Sequence, residues 1–334
     1  MSKRIGSVIH GALGDCYEQL LCLQKFKEEN SCVTLIGFFA VENRRRAFLH
    51  YDLSLFDELY SGDMIGNVPV DEYYQFQIND DELQENIIKK LASVELNKFD
   101  LKKNVLPWKI LRKHDYVVSP LTLKLSDRGL EYLKFVKNIH KIVDNNNMKV
   151  GFLWRYRKDG INSFGQYPKN IIKRNISEIL NYYQKYYEAH IYVCGMGAGK
   201  LQNIDCYQKV LDEGGIAVGE HKYKFDEALL DIDGRNATYL MGTGYAAEME
   251  IMSQCDLIIT MPSGFSEPLW MKNPKKVVMV FSPLEYLIKL WKHRMPFFDN
   301  TTLKGKIFNS FTYQSAKNVN NYIKYKNILY NYRY

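Results

Sequence analysis

The chain has 334 residues, and its 45 lysines and arginines outnumber its 38 aspartates and glutamates, which gives a formal charge of +7. A chain of this length exceeds the usual size of a single core, so two domains of roughly 150 residues are expected. The hydrophobic fraction of 46% excludes a disordered chain. The basic excess suits an anionic ligand or membrane surface, but it is too small to indicate nucleic-acid binding by itself.

The sequence contains none of the usual signs of export, membrane insertion or structural zinc. Its amino-terminal residues lack the apolar core and cleavage site of a signal peptide. No run approaches the 18 or so apolar residues that span a bilayer. The six cysteines are dispersed, without a CxxC pair or a Cys/His cluster. We therefore predict a cytoplasmic protein with buried thiols.

The first elements of the chain are typical of a parallel sheet. A strand "RIGSVIH", a loop "GALGD", a helix "CYEQLLCLQKFKEEN" and a strand "CVTLIGFFA" follow one another. This order is the βαβ unit. Between residues 41 and 127 the pattern weakens, and "HDYVVSP" (residues 114–120) is the clearest strand there.

A second series of the same kind follows a predicted helix "LSDRGLEYLKFVKNIHKIV" and a polar boundary "DNNNMK". The predicted strands are "KVGFLWRY", "HIYVCGM", "DLIITMP" and "KKVVMVFS", and helices such as "NIIKRNISEILNYYQKYY", "YAAEMEIMSQC" and "SEPLWMK" alternate with them. The sequence thus predicts an α/β protein with two Rossmann-like domains facing each other across a cleft. We place them at residues 1–145 and 146–300, with a tail at 301–334 that packs back on the first domain.

The loop "HGALGD" is the first candidate site. Asp15 is predicted in the first turn of the helix, where the helix dipole stabilises a carboxylate. It could equally be a helix N-cap. The loop lacks the GxGxxG dinucleotide fingerprint, and a negative charge at this helix start suits an acceptor hydroxyl better than a phosphate.

The segment "WRYRKDG" is the second candidate site. Strand alternation places Arg155 and Arg157 on one side, with Lys158 following them at the strand end. Arginine forms forked hydrogen bonds with phosphate oxygens, so these residues could clamp an anion. A solvated basic edge is the alternative interpretation.

Three Gly- or Ser-rich loops also follow predicted strands. In "PSGFSE" the N–H groups of a helix start favour a phosphate, although the serines could instead cap the helix. The "GTG" loop suits a nucleobase, or it is a plain loop-to-helix junction. "CGMGAGK" fails the Walker A pattern at both ends, which argues against nucleotide hydrolysis. The "DID" at residues 231–233 has the letters of a metal motif, but it lies in a polar stretch.

Taken together, these features resemble the GT-B glycosyltransferases. The Gly14-Asp15 pair is similar to the Gly-Asp of heptosyltransferase-like members, in which the aspartate is taken as the catalytic base. Arg155 and Arg157 resemble the arginine segment with which fucosyltransferase-like members grip the donor diphosphate, and "SGFSE" resembles the donor-phosphate loop. Glu267 has no second glutamate at the spacing of retaining members, which favours inversion. The heptosyltransferase "DSG…H" segment is incomplete, because no histidine follows Gly264 within reach, so the resemblance does not extend to heptose as the donor sugar.

The resemblance implies an inverting, metal-independent glycosyltransferase without a cofactor. Its expected partners are a nucleotide sugar and a glycan or glycolipid acceptor, with peripheral contact to an anionic membrane through lysines of the tail, and no nucleic acid. The predicted catalytic residues are Asp15 and, as a reserve, His10; the predicted donor-binding residues are Arg155, Arg157, Lys158, Gly242, Thr243, Gly244, Ser263, Gly264, Phe265, Ser266 and Glu267.

Two other classes of protein need features that the sequence lacks or nearly lacks. An NAD(P)-dependent sugar-nucleotide oxidoreductase or epimerase should show a dinucleotide fingerprint near residue 10 and a ribose-binding acid after the second strand. A nucleic-acid binder should interleave basic and aromatic residues on one face, a pattern found only in the tail from Tyr322 onward.

Overall fold

The chain folds into two compact units, Met1–Lys134 and Phe135–Tyr334. Within the described residues, each unit contains a five-stranded parallel sheet. The structure, a computed structural model, describes residues 2–11, 13–75, 96–98, 122–142, 147–154, 169–195, 209–210, 212–213, 229–240, 242–260, 269 and 277–280.

The sheet of the first unit has the order β3-β2-β1-β4-β5. Its strands are β1 (Arg4–Ile9), β2 (Thr34–Phe39), β3 (Glu58–Ser61), β4 (Glu72–Gln75) and β5 (Leu96–Lys98). The accompanying helices are α1 (Leu13–Glu29), α2 (Glu42–Ala47) and α3 (Asp127–Ile139), the last of which continues into the second unit. Strands β1 and β2 are buried along almost their whole length, as expected for central strands covered on both faces.

Aromatic rings fill one face of this sheet because the central strands carry glycines opposite them. A Cβ atom on Gly6 would lie 2.9 Å from the ring of Tyr73, and the Phe38 and Tyr73 ring centroids are 5.8 Å apart. Val8 and Ile36 complete this part of the core.

The sheet of the second unit has the order β10-β9-β6-β7-β8. Its elements in chain order are β6 (Lys149–Trp154), α4 (Lys169–Tyr187), β7 (His190–Gly195), β8 (Ala237–Tyr239), α5 (Tyr245–Ser253), β9 (Leu257–Thr260) and β10 (Val277–Val280).

The two faces of strand β6 are packed differently. Phe152 belongs to a core cluster with Leu180 and Tyr183 of α4. Gly151 faces the other way, where a Cβ atom would lie 2.6 Å from the sulfur of Met252 in α5. Helices α4 and α5 therefore cover opposite faces of the sheet, and the glycine lets α5 approach closely.

The two sheets share one topology. In each, the first strand lies at the centre, the second and third extend to one side, and the fourth and fifth to the other. The predicted parallel α/β architecture is confirmed. Ligands of such sheets bind beyond the carboxyl ends of the two strands where the order reverses, which here are β1 and β4 in one unit and β6 and β9 in the other.

The described elements match the predicted strands and helices closely outside residues 41–127. Helix α1 begins at Leu13 rather than at Cys16, so the predicted loop contributes the first turn. The predicted strand at residues 114–120, the helix at 266–272 except for the buried Leu269, and the tail at 301–334 lie outside the described residues. None of the described helices is long and apolar enough to cross a membrane.

Candidate functional site

The strand order of the second sheet reverses between β6 and β9, and each of these strands is followed in the sequence by a segment that is predicted to bind a donor. Strands β6 and β9 are neighbours, and Leu153 pairs with Thr260. Arg155, Arg157 and Lys158 follow β6, and residues 263–267 follow β9. The two segments therefore leave adjacent strand ends, although both lie outside the described residues and their contacts with a donor stay a prediction.

The carboxyl ends of β7 and β8 lie on the same side of the sheet as those of β6 and β9, because all of these strands are parallel. The last residue of β6, Trp154, pairs with Gly195, the last residue of β7. Val193 of β7 pairs with Tyr239 of β8, and the Val193 carbonyl accepts a 2.8 Å hydrogen bond from the Leu240 N–H. The loop that contains Gly242 is thereby placed two strands away from β6.

Glu248 joins the ends of β7 and β8, and the sequence alone did not assign it to the site. Its side chain is 3% exposed. Oε2 accepts a 3.0 Å hydrogen bond from the Gly195 N–H, and Oε1 accepts one of 3.0 Å from the Gly242 N–H. The backbones of Thr243 and Gly244 also act on this carboxyl group in the direction that lowers its pKa, and the Thr243 N–H itself donates to the Leu240 carbonyl at 3.1 Å. The signal available in the sequence is an acidic residue one turn after a Gly-rich loop, in the helix "YAAEMEIMS" that is otherwise mostly apolar.

Two N–H groups of the predicted "GTG" donor loop, those of Gly242 and Thr243, are therefore already engaged within the protein. Thr243 is fully buried, and its hydroxyl donates to the Leu240 carbonyl at 2.8 Å. A donor beside this loop would meet its carbonyl groups and Cα atoms rather than those N–H groups. Contact between the donor and Gly242, Thr243 and Gly244 stays a prediction.

Burial decides the ionisation of Glu248. Desolvation raises the pKa of its carboxyl group to about 8, although the surrounding backbone N–H groups act to lower it. Cys194 lies nearby, and burial raises the pKa of its thiol well above the ordinary value, with Glu248 and Cys255 acting in the same direction. Both groups are therefore neutral near pH 7.

We expect this carboxyl group to make stability depend on pH. Its pKa is about 8 in the folded chain, compared with 4.5 for an ordinary glutamate, so the folded state holds a proton that the unfolded state releases between these values. The stabilisation is fully present below pH 4.5 and is lost as the pH rises through 8. From pH 5 to 8.5 the loss is on the order of 4 kcal/mol. Urea unfolding of the wild type and of Glu248→Gln at several pH values measures it.

The comparison with Glu248→Gln isolates this one titration, because the other ionisable groups are common to both proteins. The free energy of unfolding of the wild type should fall relative to that of the variant as the pH rises. Parallel pH profiles would contradict the raised pKa.

In the first unit, the predicted acceptor loop turns sharply between β1 and α1. Gly11 has a φ of 96°, a conformation that favours glycine. Gln19 of α1 fixes His10 from both sides, since its Nε2 donates to the His10 carbonyl at 2.7 Å and its Oε1 accepts from the His10 N–H at 3.3 Å. His10 is only 3% exposed, which leaves little of its ring available to a substrate. Asp15 lies in the first turn of α1, as predicted.

The two aspartates of the "DID" stretch lie near the amino-terminal ends of the strands of the second sheet, opposite the carboxyl ends described above. Asp233 precedes β8, and its carboxylate accepts hydrogen bonds from the Arg235 N–H at 3.0 Å and from the Arg235 side chain at 3.1 Å. The carboxylate thus caps a short 3-10 helix. Within the part of the chain that the structure describes, no three His, Cys, Asp or Glu residues are grouped to hold a metal ion.

The similarity of this chain to known proteins lies in its fold. No family model matches the chain, and no curated protein matches its sequence. The structure is similar to that of the ADP-heptose lipopolysaccharide heptosyltransferase II of E. coli, with a TM-score of 0.50 and 11% identity over 84% of this chain and 85% of that one. A family 9 glycosyl transferase from Veillonella parvula gives a TM-score of 0.49 and 12% identity over 84% and 81%. A UDP-N-acetylglucosamine 2-epimerase assigned in Listeria monocytogenes gives 0.41 and 10% over 96% and 95%. The likeness to the E. coli enzyme supports the GT-B resemblance at the level of the fold.

Proposed function

We propose that the protein is a glycosyltransferase that moves a sugar from a nucleotide sugar to a hydroxyl group of a glycan or glycolipid. The observation that carries the proposal is the fold: two parallel α/β units of the same strand order, similar to a known heptosyltransferase. Fold alone does not fix an activity, so the remaining support comes from the residues at the strand ends.

The donor is proposed to bind at the second unit. Arg155, Arg157 and Lys158 follow β6, and the segment from Ser263 to Glu267 follows its neighbour β9. The carboxyl ends of such neighbouring strands are the usual ligand site of an open α/β sheet. Guanidinium groups and a helix start would together neutralise a diphosphate.

The reaction is proposed to invert the anomeric carbon. Asp15 takes the proton of the acceptor hydroxyl, whose oxygen forms the new bond to the anomeric carbon. The bond from that carbon to the donor diphosphate breaks, and its electron pair leaves with the nucleoside diphosphate, whose charge the basic residues stabilise. The buried ring of His10 favours Asp15 over His10 as the base. The proposal requires no metal, so chelation by EDTA should leave transfer unchanged.

A thermal-shift screen of nucleoside diphosphates and nucleotide sugars tests the proposal. A ligand at 100 times its Kd stabilises the folded state by about 2.7 kcal/mol, which raises the Tm by several degrees. We expect such a rise with one family of ADP, UDP or GDP compounds. Stabilisation by NAD(P) alone would contradict the proposal and favour an oxidoreductase or epimerase.

Two arginine variants sharpen the same screen. Arg155→Ala should remove most of the shift, because it deletes a forked contact with the diphosphate. Arg174→Ala is the matched control, since Arg174 lies on the exposed surface of α4, where it forms a long ion pair of 4.0 Å with Glu178. An undiminished shift in Arg155→Ala would exclude this residue from the donor site.

A further inference from the structure

The backbone around Glu248 has a conformation that a polypeptide chain does not readily adopt by itself. Gly242, Gly244 and Gly195 have φ values of 89°, 106° and 152°, in a region that other residues rarely adopt. Glycine also has more conformations to lose on ordering than any other residue. The ordered form of these two strand ends therefore needs a partner that favours it.

The Glu248 carboxyl group is such a partner. It accepts hydrogen bonds from N–H groups on both strand ends, at 3.0 Å from Gly195 and 3.0 Å from Gly242. Glu248 is itself fixed in α5, where its N–H donates to the Gly244 carbonyl at 3.0 Å. The buried thiol of Cys194 is the further titratable group that interacts electrostatically with it among the described residues. One side chain thus holds two loops to one helix.

The strand end that Glu248 holds lies beside the end of β6, the strand that the proposed donor-binding arginines follow in the sequence. Gly195 pairs with Trp154 across the parallel ladder, and Arg155 is the next residue along the chain. A shift of Gly195 would be passed to the end of β6 through this pairing. The N–H groups of Gly195 and Gly242 already donate to Glu248. The carboxyl ends of β7 and β8 would therefore act on the donor through their shape and not by binding a phosphate.

We propose that Glu248 is a positioning residue that holds the carboxyl ends of β7 and β8 in the shape that the donor requires. This inference rests on the proposed function, since it names the residue that prepares the same donor site. Glu248 does not touch the reacting atoms. Its loss should therefore weaken the use of the donor while leaving the chemical step unchanged.

Glu248→Gln is the test variant. It keeps the size of the side chain, but its amide nitrogen cannot accept a hydrogen bond, so the N–H group of Gly195 or Gly242 loses its acceptor. We expect the KM for the nucleotide sugar to rise about tenfold, which corresponds to about 1.4 kcal/mol, with kcat within about twofold of the wild type. Glu248→Asp keeps the carboxyl group but is shorter by one methylene, so it should show the same rise. Glu250→Gln, on the same helix, is the matched control.

Amide exchange provides a readout that is independent of activity. In Glu248→Gln, exchange should accelerate about tenfold or more at residue 195 and residues 242–244, and stay unchanged in α4 and β6. Unchanged exchange at these amides, or an unchanged KM for the donor in both Glu248 variants, would overturn the inference. A wild-type protein that binds no nucleotide would instead refute the proposed function, so the two failures are distinguishable.

Discussion

Replacing Asp15 by asparagine should lower kcat for sugar transfer about 10²- to 10⁴-fold, which is the range that general-base catalysis contributes. Asparagine has nearly the same shape as aspartate, but it cannot take a proton from the acceptor hydroxyl. Asp15 lies at the start of α1, just beyond the carboxyl end of β1, where the helix dipole favours an ionised carboxylate. The donor is proposed to bind to the other unit, so the Kd of the donor should stay within about twofold of the wild type. Steady-state kinetics and calorimetric titration with the donor measure the two effects.

Glu28→Gln is the control for Asp15→Asn. It removes one carboxylate from the same helix, but at an exposed position in the last turn. We expect it to transfer sugar at the wild-type rate. Transfer by Asp15→Asn at close to the wild-type kcat would show that another group is the base. Loss of donor binding in Asp15→Asn would instead indicate a structural role in the first turn of α1; that role is not the N-cap that the sequence also allowed, because α1 begins at Leu13.

The strands that the sequence predicted are the ones whose own residues make them recognisable. β2 and β7 are continuous apolar runs because both of their faces are buried. β3 and β4, with the sequences "ELYS" and "EYYQ", were missed because they are four residues long and half polar. Such strands form because β2 and β1 offer their backbone groups to them, and this pairing is not visible in a local pattern.

In the candidate site, too, features set by neighbouring residues could be predicted from the sequence, whereas contacts between residues far apart in the chain could not. The turn after β1 and the "GTG" loop before α5 could be predicted, since glycines at a strand end mark a turn. The role of Glu248 could not. Its two partners, Gly195 and Gly242, are separated by 47 positions in the sequence, and they meet only because β7 and β8 are neighbours.

Replacing Gly129 by alanine should destabilise the first unit by about 3 kcal/mol, although the change would normally stabilise a helix by up to about 1 kcal/mol. Gly129 lies in the first turn of α3, where a Cβ atom would overlap the backbone carbonyl oxygen of His50 and lie 3.0 Å from its carbon. Backbone atoms cannot move aside as the end of a side chain can. The helix start would therefore have to withdraw from His50.

That withdrawal would break a set of contacts that fix the start of α3. The His50 carbonyl accepts hydrogen bonds from the Ser126 N–H at 2.9 Å and from the Ser126 hydroxyl at 3.1 Å, and Ser126 Oγ in turn accepts from the Gly129 N–H at 3.1 Å. The His50 ring is stacked on Tyr132, with the ring centroids 4.3 Å apart. Urea unfolding measures the loss, and Gly234→Ala is the control, because a Cβ atom there would meet nothing within 4 Å. Equal stability of the two variants would show that α3 can shift away from His50 at little cost, and that the contacts around Ser126 do not fix its position.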